Sequence, residues 1–233
     1  MTEGHLLSGS RFDLYVKASS DGTGLGDCPF CQYVLMYAKA LGIGDGKFNV
    51  HYIDTGNKPE SFTKLNDKGT VPVLVDNHKK QTLTDSTEIA KYLREQFPGN
   101  DPLSGYSGPD RAFFGAVLPK LAKLLKNKDE NHDSEQCKAE LIDQLKTIND
   151  YLEQASPDRK GSYIAGKHVS ELDCVFMPRL RHLVVAGGHY EGVGIEGFLA
   201  LRDYFDSAMS CSEFTSTCCE EQEIVKGWAR HRK

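Results

Sequence analysis

The feature that most constrains the fold is a change of pattern at Pro98. Before it, strand and helix signals alternate in the order β-α-β-α-β-β-α, and beyond it almost every segment has helical periodicity. At the change, residues 98–110 contain three prolines and three glycines, a composition typical of a linker. The 233-residue chain is therefore predicted to have an α/β domain at 1–97 and an all-helical domain at 111–233.

The α/β domain is predicted to contain four strands and three helices. Apolar and polar residues alternate along the strand segments, and the helix segments carry apolar residues at helical spacing. A glycine-rich loop, residues 20–26, leads into the first helix. The predicted strands are 12–16, 48–54, 71–76 and 81–83, and the predicted helices are 29–41, 59–65 and 86–97.

The second half is predicted to contain a long amphipathic helix from Ser134 and a strongly apolar helix from Ser170. Ser170 and Asp173 form an S-x-x-D capping box, in which Ser170 caps the free backbone amides and Asp173 reaches back. Gly187 and Gly188 are expected to end the second of these helices. Shorter helices are predicted at 195–209 and 220–228.

Composition and charge exclude several classes of function. The net charge of −5 disfavours a nucleic-acid partner. No apolar run approaches the roughly 20 residues that span a bilayer, and the first residues lack the basic start and apolar centre of a signal peptide. The expectation is a cytoplasmic monomer without a membrane or nucleic-acid partner, and a transit peptide removed before residue 1 stays an alternative.

The seven cysteines do not form the pattern of a secreted disulfide framework, because their count is odd and they are scattered. No metal is expected, since neither a second C-x-x-C nor an H-x₃₋₅-H spacing accompanies Cys28 and Cys31. Cys137 and Cys174 are predicted to be inert thiols of the helical core. The pattern assigns no role to the adjacent Cys218 and Cys219.

Cys28 opens the sequence C-P-F-C at a transition from loop to helix. Pro29 suits the first position of a helix, which leaves free backbone N–H groups next to the Cys28 sulfur. Such donors and the helix dipole bring a cysteine pKa from ~8.5 down to roughly 3.5–7.5. Cys28 is therefore predicted to be a redox-active nucleophile, and a structural cysteine is the alternative. Cys31, one turn on, is either a resolving thiol or a small helix residue.

Two further junctions point to a peptide ligand. Pro72 interrupts a strand, so Val71-Pro72 is a candidate cis bond that would turn the backbone of Val71 outward to pair with an extended peptide. Ser86 is a candidate helix cap after Asp85, and the helix N-terminus can receive a carboxylate. Taken alone, the first pattern fits an edge strand that tolerates proline equally well, and the second is more often an ordinary helix cap. Together with Cys28 they predict bound glutathione.

The order of C-P-F-C, T-V-P and D-S resembles the thioredoxin-like domain of the glutathione transferase superfamily, and the S-x-x-D box resembles its helical domain. The segments "YIAGKHVSELDCVFMPRLRHLVVAGGHY" and "EEQEIVKGW" resemble glutathione-dependent dehydroascorbate reductases, while chloride intracellular channel proteins are a competing branch. The resemblance runs from about Phe12 to Trp228. It implies a thioredoxin-like domain followed by a helical domain, with glutathione as co-substrate and no metal.

The resemblance also implies roles for individual residues. Cys28 corresponds to the nucleophile, Pro72, Ser170 and Asp173 to structural positions, and Lys17 and Asp27 to residues that bind glutathione or the ascorbate species. The other implied glutathione-binding residues are Lys58, Val71, Asp85 and Ser86, and the other implied ascorbate-side residues are His182 and Trp228.

The expected reaction is the reduction of dehydroascorbate by two molecules of glutathione. Plant members usually read C-P-F-S, so Cys31 is a departure that keeps a dithiol route open. One alternative is an omega-type thioltransferase that acts on mixed disulfides of glutathione. The other is a protein similar to the chloride intracellular channels that inserts into membranes on oxidation, although Lys39, Asp45 and Lys47 would make spanning costly.

Overall fold

The computed structural model describes residues 10–98, 106–126, 133–154 and 163–232. Residues 99–105 of the predicted linker lie outside this part of the chain, so the two domain boundaries stay predictions. The first half forms a four-stranded sheet in the order β2-β1-β3-β4. Its strands are β1 (Phe12–Lys17), β2 (Phe48–Ile53), β3 (Val73–Asp76) and β4 (Gln81–Leu83).

The sheet has thioredoxin-like connections, which confirms the predicted α/β class. β1 pairs in parallel with β2 through the crossover helix α1 (Pro29–Ala40), while β3 is antiparallel to both β1 and β4. Helix α3 (Ser86–Gln96) packs beside α1. The short helix α2 (Glu60–Leu65) contributes Phe62 to a separate small apolar cluster with Ile53 and Val73. The carboxyl end of β1 therefore lies next to the start of α1.

The second half is helical, as predicted, and α7 is its central element. Residues 172–182 of α7 are all buried, and this stretch includes the charged Asp173, Arg179 and Arg181 beside its apolar residues. It packs against α1, α4 and α5. The described helices are α4 (Arg111–Gly115), α5 (Val117–Leu125), α6 (Ser134–Gln154), α7 (Glu171–His182), α8 (Gly188–Glu191), α9 (Leu199–Met209), α10 (Ser212–Thr215) and α11 (Glu221–Ala229).

The predicted end of α7 at Gly187 and Gly188 is wrong. The chain continues through a π-helical turn (Leu183–Gly187) into α8 and leaves the helix only at Gly192, where φ is +61°. Gly187 is required for a close contact, because a Cβ there would lie 2.9 Å from the carbonyl oxygen of Val193. The glycine therefore serves packing, whereas the left-handed residue that ends the helix comes later.

Two other boundaries differ from the prediction by at least two residues. Strand β3 begins at Val73 rather than at residue 71, because the Val71-Pro72 bond is cis and Pro72 has no N–H to give to the sheet. The cis bond itself confirms the expectation. Helix α9 begins at Leu199 rather than at residue 195.

The predicted capping box before α7 is confirmed, and it extends into a larger network. The buried Asp173 carboxylate accepts hydrogen bonds from the Ser170 N–H at 2.9 Å and the Ser170 hydroxyl at 2.5 Å. It also accepts from the Ile164 N–H at 2.9 Å and the Tyr204 hydroxyl at 2.8 Å. Burial raises the pKa of Asp173 although these bonds oppose the rise. One carboxylate thus fixes the start of α7 against α9.

A polar clamp joins the two halves. The fully buried Tyr33 of α1 donates its hydroxyl to Glu171 of α7 at 2.7 Å. The Arg111 guanidinium lies 4.7 Å from the centre of the Tyr33 ring and 3.6 Å from Glu171. Because α1 begins at the C-P-F-C sequence, this clamp holds the start of α1 against the helical half. Cys137 and Cys174 are buried in the helical core, as predicted.

Candidate active site

Cys28 is the N-cap residue of α1 and Pro29 is the first residue of the helix, as predicted. The preceding loop runs against the end of β1, since the Gly26 N–H donates to the Lys17 carbonyl at 2.8 Å. A Cβ at Gly26 would overlap the carbonyl oxygen of Ala18, so only glycine allows this approach. The glycine-rich loop thereby brings the partly buried Cys28 sulfur close to Lys17.

The Cys28 sulfur is favoured as a thiolate. A hydrogen bond from the Cys31 thiol lowers the pKa of Cys28 most, and burial opposes this effect. The backbone N–H groups of Cys31 and Phe30 and the charge of Lys17 lower it further. The buried Cys31 has the opposite tendency, because burial raises its pKa well above the ordinary value. Of the two thiols, Cys28 therefore loses its proton first, and the Cys31 thiol donates a hydrogen bond to its sulfur.

Replacing Cys31 by alanine is expected to raise the pKa of Cys28, because the thiolate loses the hydrogen-bond donor that lowers this pKa most. The rate of Cys28 alkylation, followed by intact mass, decreases when the pH is lowered below the pKa of Cys28. In C31A this decrease in rate should therefore begin at a higher pH than in the wild type. Serine keeps a donor at this position, and C31S should have a profile close to the wild-type one. Coincident profiles for C31A and the wild type would contradict the assigned hydrogen bond.

Lys17 and Asp27 form an ion pair of 2.6 Å beside Cys28. Helix α11 covers this pair, and a Cβ at Gly227 would overlap the Asp27 carboxylate. The bare backbone of Gly227 therefore allows α11 to pack directly on the pair. The same helix is tied to the loop after β1, where Ser20 donates its N–H and its hydroxyl to Glu223, each at 2.6 Å.

A cavity of about 630 Å³ opens between the two halves in front of Cys28. It combines predicted site residues from both halves with an apolar wall from α5. The predicted residues that line it are Lys17, Asp27, Cys28, Val71, His182 and Trp228, and the α5 wall includes Leu118, Pro119 and Ala122. A second, polar recess of about 280 Å³ lies on the far side of the Lys17–Asp27 pair and is lined by Ser20, Glu223 and Lys226 among others.

His182 and Trp228 meet across the cavity wall. The indole Nε1–H donates to Nδ1 of His182 at 3.0 Å. Burial, aided by the charges of Arg181 and Lys17, lowers the pKa of His182 to about 3. The ring is therefore neutral at pH 7 and carries its proton on Nε2. In this state His182 can donate a hydrogen bond to a ligand, but it does not serve as a charged acid.

The remaining predicted residues lie outside the lining of the large cavity. The Lys58 side chain lies beside Gly69, where a Cβ would come within 3.0 Å of Lys58 Cδ. The prediction that Ser86 caps α3 is wrong. Asp85 is the cap, because its Oδ1 accepts from the Thr87 N–H at 2.8 Å and from the Glu88 N–H at 3.1 Å. Ser86 is the buried first residue of α3.

Arg179 is a cavity residue that the sequence analysis missed. It lies on α7, is 5% exposed, and lines the cavity together with His182. The signal was present, because a charged residue three positions before His182 interrupts an apolar stretch on one face. Cys218 and Cys219 are partly buried outside this lining, and burial raises the pKa of Cys219 to about 11. Neither is an activated nucleophile.

Two kinds of feature are absent from the described residues. They contain no group of three histidine, cysteine or acidic side chains that is arranged to hold a metal ion. Within the same part of the chain, no helix has both the length and the apolar character needed to cross a bilayer.

Comparison with known proteins identifies relatives along most of the chain. Residues 23–101 match the family model "Glutathione S-transferase, N-terminal domain". The chain is 32% identical to the chloroplastic glutathione S-transferase DHAR3 of Arabidopsis thaliana over 94% of its own length and 80% of that protein. It is 31% identical to glutathione S-transferase DHAR2 of the same plant, over 88% of its own length and 90% of that protein.

Two solved structures resemble the whole fold. The dehydroascorbate reductase of Chlamydomonas reinhardtii superposes with a TM-score of 0.84 at 28% identity, over 96% of this chain and all (100%) of the other. EXC-4 of C. elegans, a homologue of the CLIC proteins, superposes with a TM-score of 0.70 at 27% identity, over 96% of this chain and 86% of the other.

Proposed function

Because the chain belongs to the glutathione transferase superfamily and to its dehydroascorbate-reductase-like group, we propose that it reduces dehydroascorbate to ascorbate at the expense of glutathione. The observation that carries the proposal is the position of Cys28. Its sulfur has a lowered pKa and faces a cavity that also contains the Lys17–Asp27 pair and the neutral His182. A thiolate that faces a ligand cavity is suited to thiol–disulfide exchange.

Glutathione would bind along the α/β half, next to Cys28. The backbone of Val71, next to the cis bond to Pro72, would pair with the cysteinyl residue of the tripeptide, as an added strand pairs with a sheet edge. Ser86, at the N-terminus of α3, would hold the γ-glutamyl carboxylate, with Asp85 fixing the end of that helix. The Lys58 side chain, beside Gly69, would supply a cation for the tripeptide.

The proposed cycle begins when the Cys28 thiolate attacks a carbonyl carbon of dehydroascorbate. A C–S bond forms, and the carbonyl oxygen becomes an alkoxide that takes up a proton. A glutathione thiolate then attacks the Cys28 sulfur, the C–S bond breaks, and its electron pair leaves with ascorbate. A second glutathione thiolate attacks the mixed disulfide, releases oxidised glutathione and restores the Cys28 thiolate. Two thiols lose one electron each, and dehydroascorbate gains both.

Lys17 and His182 would assist without exchanging protons. Lys17 stabilises the thiolate and can contact substrate oxygens, while Asp27 fixes its position through the ion pair of 2.6 Å. His182 would donate its Nε2–H to an oxygen of the substrate, and Trp228 keeps the ring in this tautomer. Cys31 is the alternative resolving thiol, because it lies one turn from Cys28 and already contacts it.

The test of this proposal is a steady-state assay of ascorbate formation with purified protein. The rate is expected to saturate with both glutathione and dehydroascorbate and to exceed the uncatalysed reaction clearly at every concentration. Treatment with oxidised glutathione should add one glutathionyl unit to the intact mass. A rate no higher than that of the uncatalysed reaction would contradict the proposal.

A second candidate is thiol transfer from mixed disulfides of glutathione. The cavity favours it, because about 630 Å³ lies in the range of sites for drug-sized ligands and exceeds what one small sugar acid fills. The ratio of the rates with a glutathionylated thiol and with dehydroascorbate separates the two activities. The proposed compartment is the cytoplasm, where glutathione keeps thiols reduced, although the similar plant proteins include both chloroplastic and cytosolic ones by name.

A further inference from the structure

Two contacts orient Arg179 at the cavity wall. Its guanidinium lies over the Phe30 ring, with Cζ 5.1 Å from the ring centre, and Phe30 belongs to the C-P-F-C sequence. Nη1 donates to the carbonyl oxygen of Val175, one turn earlier in α7. A guanidinium has five N–H donors in a fixed plane, so most of its donors are not used by this single bond. The planar group is oriented, but its hydrogen-bonding capacity is not exhausted.

The charge of Arg179 has no carboxylate partner among the residues that the structure describes. Other arginines differ, because Arg11 pairs with Asp76 at 2.8 Å and Arg232 pairs with Glu191 at 2.9 Å. Arg111, whose charge acts on Arg179, lies 3.6 Å from Glu171. Burial lowers the pKa of Arg179 only to about 10, so the group is charged at pH 7. An ionised Cys28 acts on this charge, yet no carboxylate in the described part of the chain pairs with it, and a buried cation that is only partly compensated favours the arrival of an anion.

We propose that Arg179 is a specificity-determining residue that binds the oxygens of a planar organic oxyanion in the cavity, beside the Cys28 sulfur. The anion is the enolate of ascorbate, or a small carboxylic acid of the same planar class, which a guanidinium can bind with two parallel hydrogen bonds. This inference rests on the proposed function, and it adds which charge state of the ligand the cavity prefers.

The change of charge during the reaction explains why the cavity would prefer an anion. Dehydroascorbate is uncharged, whereas ascorbate is an anion at neutral pH, so negative charge develops in the cavity as the C–S bond breaks. A preorganised cation stabilises developing charge strongly in a site that is shielded from water. Arg179 therefore contacts a group whose charge grows during the reaction, and it is expected to bind the product more tightly than the substrate.

Ligand binding can be followed by the intrinsic fluorescence of tryptophan. Trp228 is the single tryptophan of the sequence and lines the cavity, so its fluorescence reports on ligand binding. In R179Q, the dissociation constant of ascorbate should rise about 10- to 100-fold, because a charge-assisted hydrogen bond is lost. The KM for the uncharged dehydroascorbate should change less than about threefold, because no charge-assisted bond is made to it. R179K keeps the charge and should recover part of the ascorbate affinity.

R181Q is the matched control. Arg181 lies on the same helix and is 6% exposed, yet it contacts Cys219 rather than the large cavity. Removal of its charge should leave the affinity for ascorbate within about twofold of the wild type, once thermal unfolding shows that both variants are folded. Unchanged ascorbate affinity in folded R179Q, or an equal loss in R181Q, would overturn the proposal. Failure of the function itself is distinguishable, because the wild type would then form no ascorbate.

Discussion

Replacing Cys28 with serine is expected to lower glutathione-dependent ascorbate formation by about 1,000-fold or more. A serine hydroxyl is not ionised at neutral pH. The hydrogen bonds and the cation that stabilise the thiolate therefore cannot produce a nucleophile at this position. The bond to carbon that starts the cycle, and the mixed disulfide that follows, both require this sulfur. Steady-state rates at saturating glutathione measure the effect, and intact mass after treatment with oxidised glutathione should show no adduct.

Cys218→Ser is the control for this variant. Cys218 is also partly buried and accepts a hydrogen bond from Gln32 at 3.2 Å, but it does not line the cavity and burial raises its pKa. The C218S protein should keep its rate within about twofold and should still take up one glutathionyl unit. Ordinary turnover in folded C28S would mean that another group attacks the substrate, and the mechanism built on Cys28 would be wrong.

Replacing Asp173 with alanine is expected to reduce the free energy of unfolding by about 3–5 kcal/mol. The carboxylate accepts four hydrogen bonds, from two backbone N–H groups and two hydroxyls, in a fully buried position. Alanine leaves all of these donors without a partner and removes the capping box of α7. Urea unfolding at neutral pH measures the loss.

Tyr204→Phe provides a graded comparison, since it removes one of the four donors and leaves the carboxylate in place. Its expected cost is about 1 kcal/mol. The folded fraction of D173A should still show the alkylation profile of the wild-type Cys28, because the network lies away from the sulfur. A loss below about 1 kcal/mol in D173A would show that the network contributes little to stability.

Local patterns were sufficient wherever one short segment determines the structure. The strand-to-helix junction at Cys28, Pro29 at the start of α1, and the Ser170–Asp173 box all depend on residues within a few positions of one another. The order of strands and helices followed from periodicity for the same reason. These features needed no knowledge of the rest of the chain.

Other features depend on distant neighbours or on a choice between similar residues. Asp85 and Ser86 are both good caps, and the sequence does not state which side chain faces the free amides. The bond between Trp228 and His182 joins residues 46 positions apart, so the sequence did not predict it, and only the resemblance to a family pointed to the two residues. The sequence does show that Arg179 interrupts an apolar face, but it does not show that the charge lacks a carboxylate partner, because that depends on the surroundings of the side chain.

The packing of α11 on the Lys17–Asp27 pair has a consequence for biosynthesis. Ser20 and Glu223, which meet beside this pair, are 203 residues apart in sequence, and contacts of such separation form late because a long loop must close first. In a newly made chain, the Cys28 sulfur is therefore present before α11 closes its side of the cavity. During that interval any cellular oxidant can reach the thiol from this side. A chain that terminates before α11 would keep its thiol in this accessible state.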